Sequence, residues 1–329
     1  MHRRTVISIL SNTLGSVLLL IALLILVAWL IGLIWSDRWL WTQWLSWIPS
    51  LVLIPAGLFW LSGVALIRRL RAQWPLGVLL CLVGPMIFFF LNWQPANKSA
   101  NVHGPGITIS QWTLGTILDD EDAYAQPIVT LDSDISIIEG GRRVRWSDTI
   151  RDWLGPDHTG ISTGIFSVFT RLPVQQLRSS IWSEGIHVAR FDVEGPGFEA
   201  MPLKLLLVDL PSDPSRSRWE IAQRLQDLLT KVGPEEVDLI IGDFNMPSGS
   251  AALSSLFPQY TRAWSSGGEG WAPTFPRNWS IARLDHILVG PDVVITKLRT
   301  IDPGLGRHRL QTMRVTNRTD SPREINVTP

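Results

Sequence analysis

Three long apolar runs fill the first 95 residues, and short alternating runs fill the rest. "SVLLLIALLILVAWLIGLIW" (Ser16–Trp35) carries no charge and can cross a hydrocarbon core about 30 Å thick. "WIPSLVLIPAGLFWLSGVALI" (Trp47–Ile67) is a second such run despite Pro49 and Pro55, which membrane helices tolerate when neighbours satisfy the freed carbonyls. "PLGVLLCLVGPMIFFFL" (Pro75–Leu91) is a shorter third. The pattern predicts three transmembrane helices, over about 12–35, 47–67 and 75–92. A cleaved leader fits less well, because the first run is too long and two more follow it.

From Ile107 onward the period changes. Strands are expected in "GITISQWTL", "ISII" (Ile135–Ile138), "GIFSVFT" (Gly164–Thr170), "HVARFDV", "LKLLLVDL", "VDLIIG" and "LDHILV", with a last one near "LQTMRV". "SRSRWEIAQRLQDLLTKVG" reads as a helix, since Ile221, Leu225, Leu228, Leu229 and Val232 share one face and Gly233-Pro234 stops it. A second helix is expected around Ser147–Leu154. Many strands with few, separated helices predict an α+β fold, a two-sheet β-sandwich flanked by helices in four layers. The expected organisation is a membrane domain over 1–95, a polar, Pro/Gly-punctuated linker over 96–106, and a domain over 107–329.

Charge then divides the same regions. Residues 1–95 hold six of the 29 Lys/Arg and one of the 29 Asp/Glu, leaving 23 basic and 28 acidic residues after them. An acidic domain is a poor partner for a phosphate polyanion, so nucleic acid is disfavoured without being excluded. The single cysteine, Cys81, rules out an intrachain disulfide and a cysteine metal site. Arg3 and Arg4 precede the first run, and "RRLRAQ" joins the second to the third. The loop between the first and second is instead rich in tryptophan (Trp35, Trp39, Trp41, Trp44, Trp47), an interfacial belt that Trp93 joins. This asymmetry predicts a multi-pass protein of the cytoplasmic membrane with a cytoplasmic N-terminus and an extracytoplasmic C-terminal domain.

The chemistry concentrates in "DLIIGDFNMPSGS" (Asp238–Ser250). A strand that continues through Asn245 would put Asp243 and Asn245 on one side and Phe244 on the other. A carboxylate beside an amide suits a divalent cation and a phosphate. Taken alone, the same residues also read as an Asx turn after a strand.

The stretch resembles the "GDFN" motif of the endonuclease/exonuclease/phosphatase superfamily, metal-dependent phosphodiesterases. The resemblance spans residues 107–315 in family order, through "ISIIEGG", "TGIFSVFTRLPV", "WAPTFPRNWSIARLDHILVG" and "GRHRL". It implies Mg²⁺ or Mn²⁺ as cofactor, with Glu139 as metal ligand. It also implies Asp243 as general base or phosphate-side ligand, Asn245 as its positioning partner, and Asp285 as the acid that orients His308 against the phosphate. His286, on the opposite side of its strand from Asp285, is expected to be structural. Where the family has an Asn after its early Trp, this chain has Thr113. The family histidine is missing at about Pro211, where Asp209 and Asp213 are the candidate polar substitutes. Arg307 replaces an aspartate, and its guanidinium suits an anionic phosphate.

The three runs ahead of this domain are similar to a membrane-bound subgroup that includes a teicoplanin-resistance protein of actinomycetes. That similarity implies a membrane-anchored phosphoesterase acting on a lipid-linked phosphate, a phospholipid headgroup or another phosphate-containing small molecule. Two other readings stay open: a domain that binds a ligand or partner without turnover, motivated by Thr113, Pro211 and Arg307, and an extracytoplasmic nuclease.

Overall fold

The computed structural model describes residues 2–96, 104–115, 120–141, 143–156, 159–232 and 236–318. Most of the expected linker, and the Gly233-Pro234 stop, lie outside the described residues. The chain forms two compact units, one of 1–93 with Ser215–Trp219 and Gly249–Ala252, the other of the remaining residues.

In the first unit α1 (His2–Trp35) is a single helix, as its uncharged run predicts. The second run does not form one straight helix. α2 (Leu40–Ser46) stops before Pro49, a 3₁₀ turn follows, and α3 (Leu53–Leu66) continues, the pair bent by 72°. Proline cannot donate to the preceding turn, which breaks the ladder there. α4 (Trp74–Asn92) follows a 3₁₀ segment over Arg68–Gln73. Among the described residues, two helices are thus long and apolar enough to cross a membrane, or three if the bent pair counts as one span. Glycines allow close crossings: a Cβ on Gly57 would lie 2.5 Å from the Gly77 carbonyl oxygen, and one on Gly63 2.8 Å from that of Gly15. Buried Asp37 accepts from the backbone N–H groups of Ala251 (2.8 Å) and Ala252 (3.1 Å), and buried Gln43 accepts from that of Arg218 at 2.7 Å.

The second unit is built on two mixed sheets. Its strands are β1 (Trp93–Gln94, which straddles the boundary), β2 (Ile107–Thr113), β3 (Ile135–Glu139), β4 (Thr159–Thr163), β5 (Phe166–Thr170), β6 (Val174–Ser183), β7 (Ile186–Val193), β8 (Leu203–Asp209), β9 (Leu239–Asp243), β10 (Thr261–Arg262), β11 (Gly268–Trp271), β12 (Asp285–Val289), β13 (Val293–Ile301) and β14 (Leu310–Asn317). One sheet runs β1-β11-β13-β14-β2-β3-β5-β4 and the other β10-β12-β9-β8-β7-β6. Every strand expected from the sequence is present. Strands β1, β4, β6, β10, β11 and β13 were not anticipated, nor was α5 (Glu121–Leu131), which Asp120 caps through the N–H groups of Asp122 and Ala123.

Alternation decides what lies between the sheets. Ile107 and Ile109, Ile135 and Ile137, Phe166 and Val168, Leu205 and Leu207, Leu239 and Ile241, Ile287 and Val289 all join one buried cluster. The positions that continue this inward period at one end of the sandwich are Thr113, Glu139, Asp209, Asp243 and Asp285. Core rows give way there to a row of acids. On the other face of the first sheet, Ile138, Phe169 and Leu310 pack with Ile128 of α5 and Ile150 of α6 (Asp148–Leu154). α7 (Arg218–Val232) buries Ile221, Ala222 and Leu225, part of the face its sequence period marked out.

Candidate active site

Register brings the acids together. In the second sheet Asp285 pairs with Asp243 across β12 and β9, and Asp243 pairs with Asp209 across β9 and β8. Paired residues point the same way, so three carboxylates form one row on neighbouring strands. From the first sheet Glu139 pairs with Thr113 across β3 and β2. Backbone bonds close the gap between the sheets, since Asp243 N–H donates to Glu139 Oε2 at 3.1 Å.

Gly242 makes this approach possible. Its φ is +153°, and a Cβ there would lie 1.8 Å from the Val208 carbonyl oxygen, so only glycine lets β9 pass β8 so closely. One residue on, β9 ends. The expectation that Asp243 and Asn245 share one strand face is therefore not met. Asn245 takes a left-handed conformation, φ +50°, and its N–H donates to Asp243 Oδ1 at 2.9 Å. The two residues meet through an Asx turn, a conformation asparagine tolerates well. The Asn245 Nδ2 donates to the Leu210 carbonyl at 2.8 Å, so the amide is oriented by the loop after β8.

His308 lies just before β14, and its Nδ1 is 2.8 Å from Asp285 Oδ2, while Nε2 is 3.8 Å from Asp243 Oδ2. Ring atoms of Phe275 cover it at 5.0 Å between centroids, and its own carbonyl accepts from Trp112 Nε1 at 3.1 Å. Asp285 is wholly buried and fully engaged. Its Oδ1 accepts from Thr113 Oγ1 at 2.6 Å and from Gln111 Nε2 at 3.3 Å, and its N–H reaches Thr274 Oγ1 at 3.4 Å. Burial alone would raise its pKa, but His308, Thr113 and Thr274 outweigh that and hold it at about 2. Burial likewise disfavours charged His308, and the facing Asp285 overrides it, lifting the imidazole to about 9.

The remaining acids go the other way. Burial pushes the Glu139 carboxyl well above its usual range, aided by Asp209, Asp285 and Asp243. Burial, then Asp243 and Asp285, push Asp209 up to about 8. Gln111 Nε2 donates to Glu139 Oε1 at 3.1 Å. Four carboxyl groups thus converge on one imidazolium, and burial with mutual repulsion keeps protons on Glu139 and Asp209 that a hard cation would displace. Ligand atoms of Asp243, Asp285 and His308 lie within 4.8 Å of one another.

The expected residues separate into two groups. Glu139, Asp243, Asp285 and His308 converge, and Thr113 joins them through Asp285. Arg307 stays exposed, its guanidinium over Phe275 at 5.6 Å and NH1 at 3.4 Å from the Gly115 carbonyl. His286 is buried and structural in position, its Nε2 2.8 Å from the Met246 carbonyl oxygen, with burial holding its pKa at about 3. The strand neighbour of Asp243 is Asp209 rather than Pro211. Sequence reasoning named Asp209 without a means of placing it, because the parallel β8–β9 register has no local signature.

A profile of the Endonuclease/Exonuclease/phosphatase family matches residues 128–318. Among solved structures, an endonuclease/exonuclease/phosphatase family protein of Bacteroides thetaiotaomicron superposes with a TM-score of 0.51 at 14% identity, over 65% of this chain and 98% of that one. A mannosyl-6-phosphatase of the same organism gives 0.51 at 13%, over 64% and 99%. A functionally unknown conserved protein of Enterococcus faecalis gives 0.50 at 15%, over 64% and 100%. At such identities the likeness is one of fold. No curated protein matches the chain. With the profile covering more than half its length, the chain belongs to the Endonuclease/Exonuclease/phosphatase family.

Proposed function

We propose that the chain is a membrane-anchored, metal-dependent phosphoesterase that acts outside the cytoplasmic membrane on a lipid-linked phosphate or phospholipid headgroup. One observation carries the reading: His308 stands between Asp285 and Asp243 at the row of acids, with Nδ1 fixed at 2.8 Å from Asp285 and Nε2 at the longer distance of 3.8 Å from Asp243, from where it can donate to a phosphate. As imidazolium it has no lone pair for a metal, so Glu139 and Asp243 are the better holders of Mg²⁺ or Mn²⁺, with the Asp209 carboxyl beside them. Such a cation, when bound, supplies charge to the phosphate oxygens.

The chain's own groups divide the rest. His308 donates from Nε2 to a phosphoryl oxygen, and Asp285 keeps it charged and aimed. Asp243 accepts the proton of the attacking water, its own Oδ1 steadied by the Asn245 N–H. Asn245 shapes the turn that presents Asp243. The membrane reading rests on the apolar helices of the first unit, and its sidedness on the distribution of Arg and Trp in the sequence.

The test is phosphate release by the full-length chain in detergent, with Mg²⁺ or Mn²⁺, from bis-p-nitrophenyl phosphate and a lipid-pyrophosphate panel. Turnover that needs the metal and is lost in Asp243→Ala supports the hydrolase. A folded chain with neither turnover nor cation binding by calorimetry would be a binding module instead. Labelling of a cysteine introduced at exposed Ser265 in intact cells checks the sidedness.

A further inference from the structure

The row of acids does not stop at Asp209. On β7 its register partner is His187, and on β6 the partner of His187 is Trp182. Five strands therefore present Asp285, Asp243, Asp209, His187 and Trp182 in one line on the inward face. The row below it is apolar where it runs through Ile287, Ile241, Leu207 and Ala189. Asp285 is fully buried and Asp243 nearly so, Asp209 and His187 are half-buried, and Trp182 is 59% exposed. The line opens to solvent as it leaves the phosphate site.

A break in register places the tryptophan. Ser179 pairs with Ala189, but Ile181 pairs with Val188, so β6 carries an extra residue between them. Without that bulge Ile181 would stand opposite His187 and Trp182 would turn to the other face. Bulges re-aim side chains in this way next to active sites. The ring is also held in place. His187 meets it at 4.2 Å and 63°, and Gly164, at φ +59° in the β4–β5 turn, touches its other edge, where a Cβ would come within 2.6 Å of Cζ3. Neither ring nitrogen of His187 nor the Asp209 carboxylate has a hydrogen-bond partner among the described residues, and His187 Nδ1 is buried. Burial lowers the His187 pKa, leaving a neutral imidazole with one donor and one acceptor.

Resting on the phosphoesterase reading, we propose that Asp209, His187 and Trp182 form a leaving-group subsite that selects a phosphate ester of a glycosyl unit. With neighbouring strands about 4.8 Å apart, Trp182 stands three steps, about 14 Å, from Asp243. That reach exceeds one sugar ring and suits a longer glycosyl group. The three side chains supply its chemistry: a carboxyl group for sugar hydroxyls, an imidazole for a donor and an acceptor, and an indole face for the C–H surface of a ring.

The experiment compares kcat/KM for a disaccharide phosphate with that for glycerol 3-phosphate, using the full-length chain in detergent with Mn²⁺. In Trp182→Ala the ratio falls roughly ten-fold, carried by KM, and Trp182→Phe restores part of it. An unchanged ratio in a folded variant overturns the subsite and leaves the hydrolase reading standing. A ten-fold preference of the wild type for AMP over the disaccharide phosphate overturns the glycosyl assignment. Turnover of no substrate at all sinks the hydrolase reading. In that event calorimetric binding of the disaccharide phosphate, weakened by Trp182→Ala, supports the subsite alone, and its absence overturns it.

Discussion

His308 Nδ1 lies 2.8 Å from Asp285 Oδ2, and that carboxylate makes no contact with solvent. The acid fixes the ring and keeps it charged near neutral pH. The two residues are 23 apart in sequence, and meet because β12 and β14 begin at the same edge of the sandwich.

Asp285→Asn removes the charge that lifts His308 to about 9. The imidazole then titrates well below about 9, because burial lowers it and of the two facing acids only Asp243 still raises it. The alkaline limb of the kcat/KM profile is expected to move down from near pH 9, and activity at pH 8 to fall roughly 10²–10⁴-fold. A limb that stays in place would show that His308 takes no part as an acid. Stability follows the same pair. The His308 contribution is complete below about 6.5 and lost as pH rises through about 9, and that of Asp285 is complete above 3.8 and lost as pH falls through about 2.

Asp209 has the opposite sign. Folded, it keeps its proton to about 8, whereas the unfolded chain sheds it near 3.8, so stability of the metal-free protein falls as pH rises between those values. Asp209→Asn flattens that slope. Thermal melts in EDTA are expected to show the variant a few degrees more stable than wild type at pH 8 and no different at pH 4. Mn²⁺ should raise the wild-type midpoint more than that of the variant. Equal slopes in the two proteins would remove Asp209 from the acid cluster.

Gly242→Ala puts a methyl group into the Val208 carbonyl, where the gap is 1.8 Å. Backbone has to move, and the whole acid row moves with it. We expect a loss of more than about 4 kcal/mol, read as aggregation on expression or a collapsed urea midpoint. A variant with wild-type stability would contradict the close approach of β8 and β9.

Asn245 serves both through its backbone and through its amide. Asn245→Gly keeps the left-handed turn and loses the Leu210 bond, while Asn245→Ala loses both. The alanine variant should be about 1 kcal/mol less stable than the glycine variant. Denaturant titration measures the difference, and equal midpoints would mean that the φ of +50° is not costly there.

Local order was legible from the chain. Each inward position of the core strands follows from alternation, and Asp243 stood out because an acid closes an apolar run. β6 and β13 were passed over because polar and charged residues interrupt their apolar pattern, and α5 although Asp120, Glu121 and Asp122 form a clear helix start. At Asn245 a continuing strand and an Asx turn were both open, because residue pairs two apart look alike in both, and the structure takes the turn.

The sequence by itself determined which residue types exist to do chemistry and where strands and apolar spans begin. Only the tertiary structure decided which acids meet. Register between strands far apart in sequence is set by packing of whole inner faces, and a bulge of one residue changes which side chain faces inward. That is why Glu139, Asp243, Asp285 and His308 could be proposed from motifs, while Asp209, His187 and Trp182 became one line only when β6, β7, β8 and β9 were laid side by side.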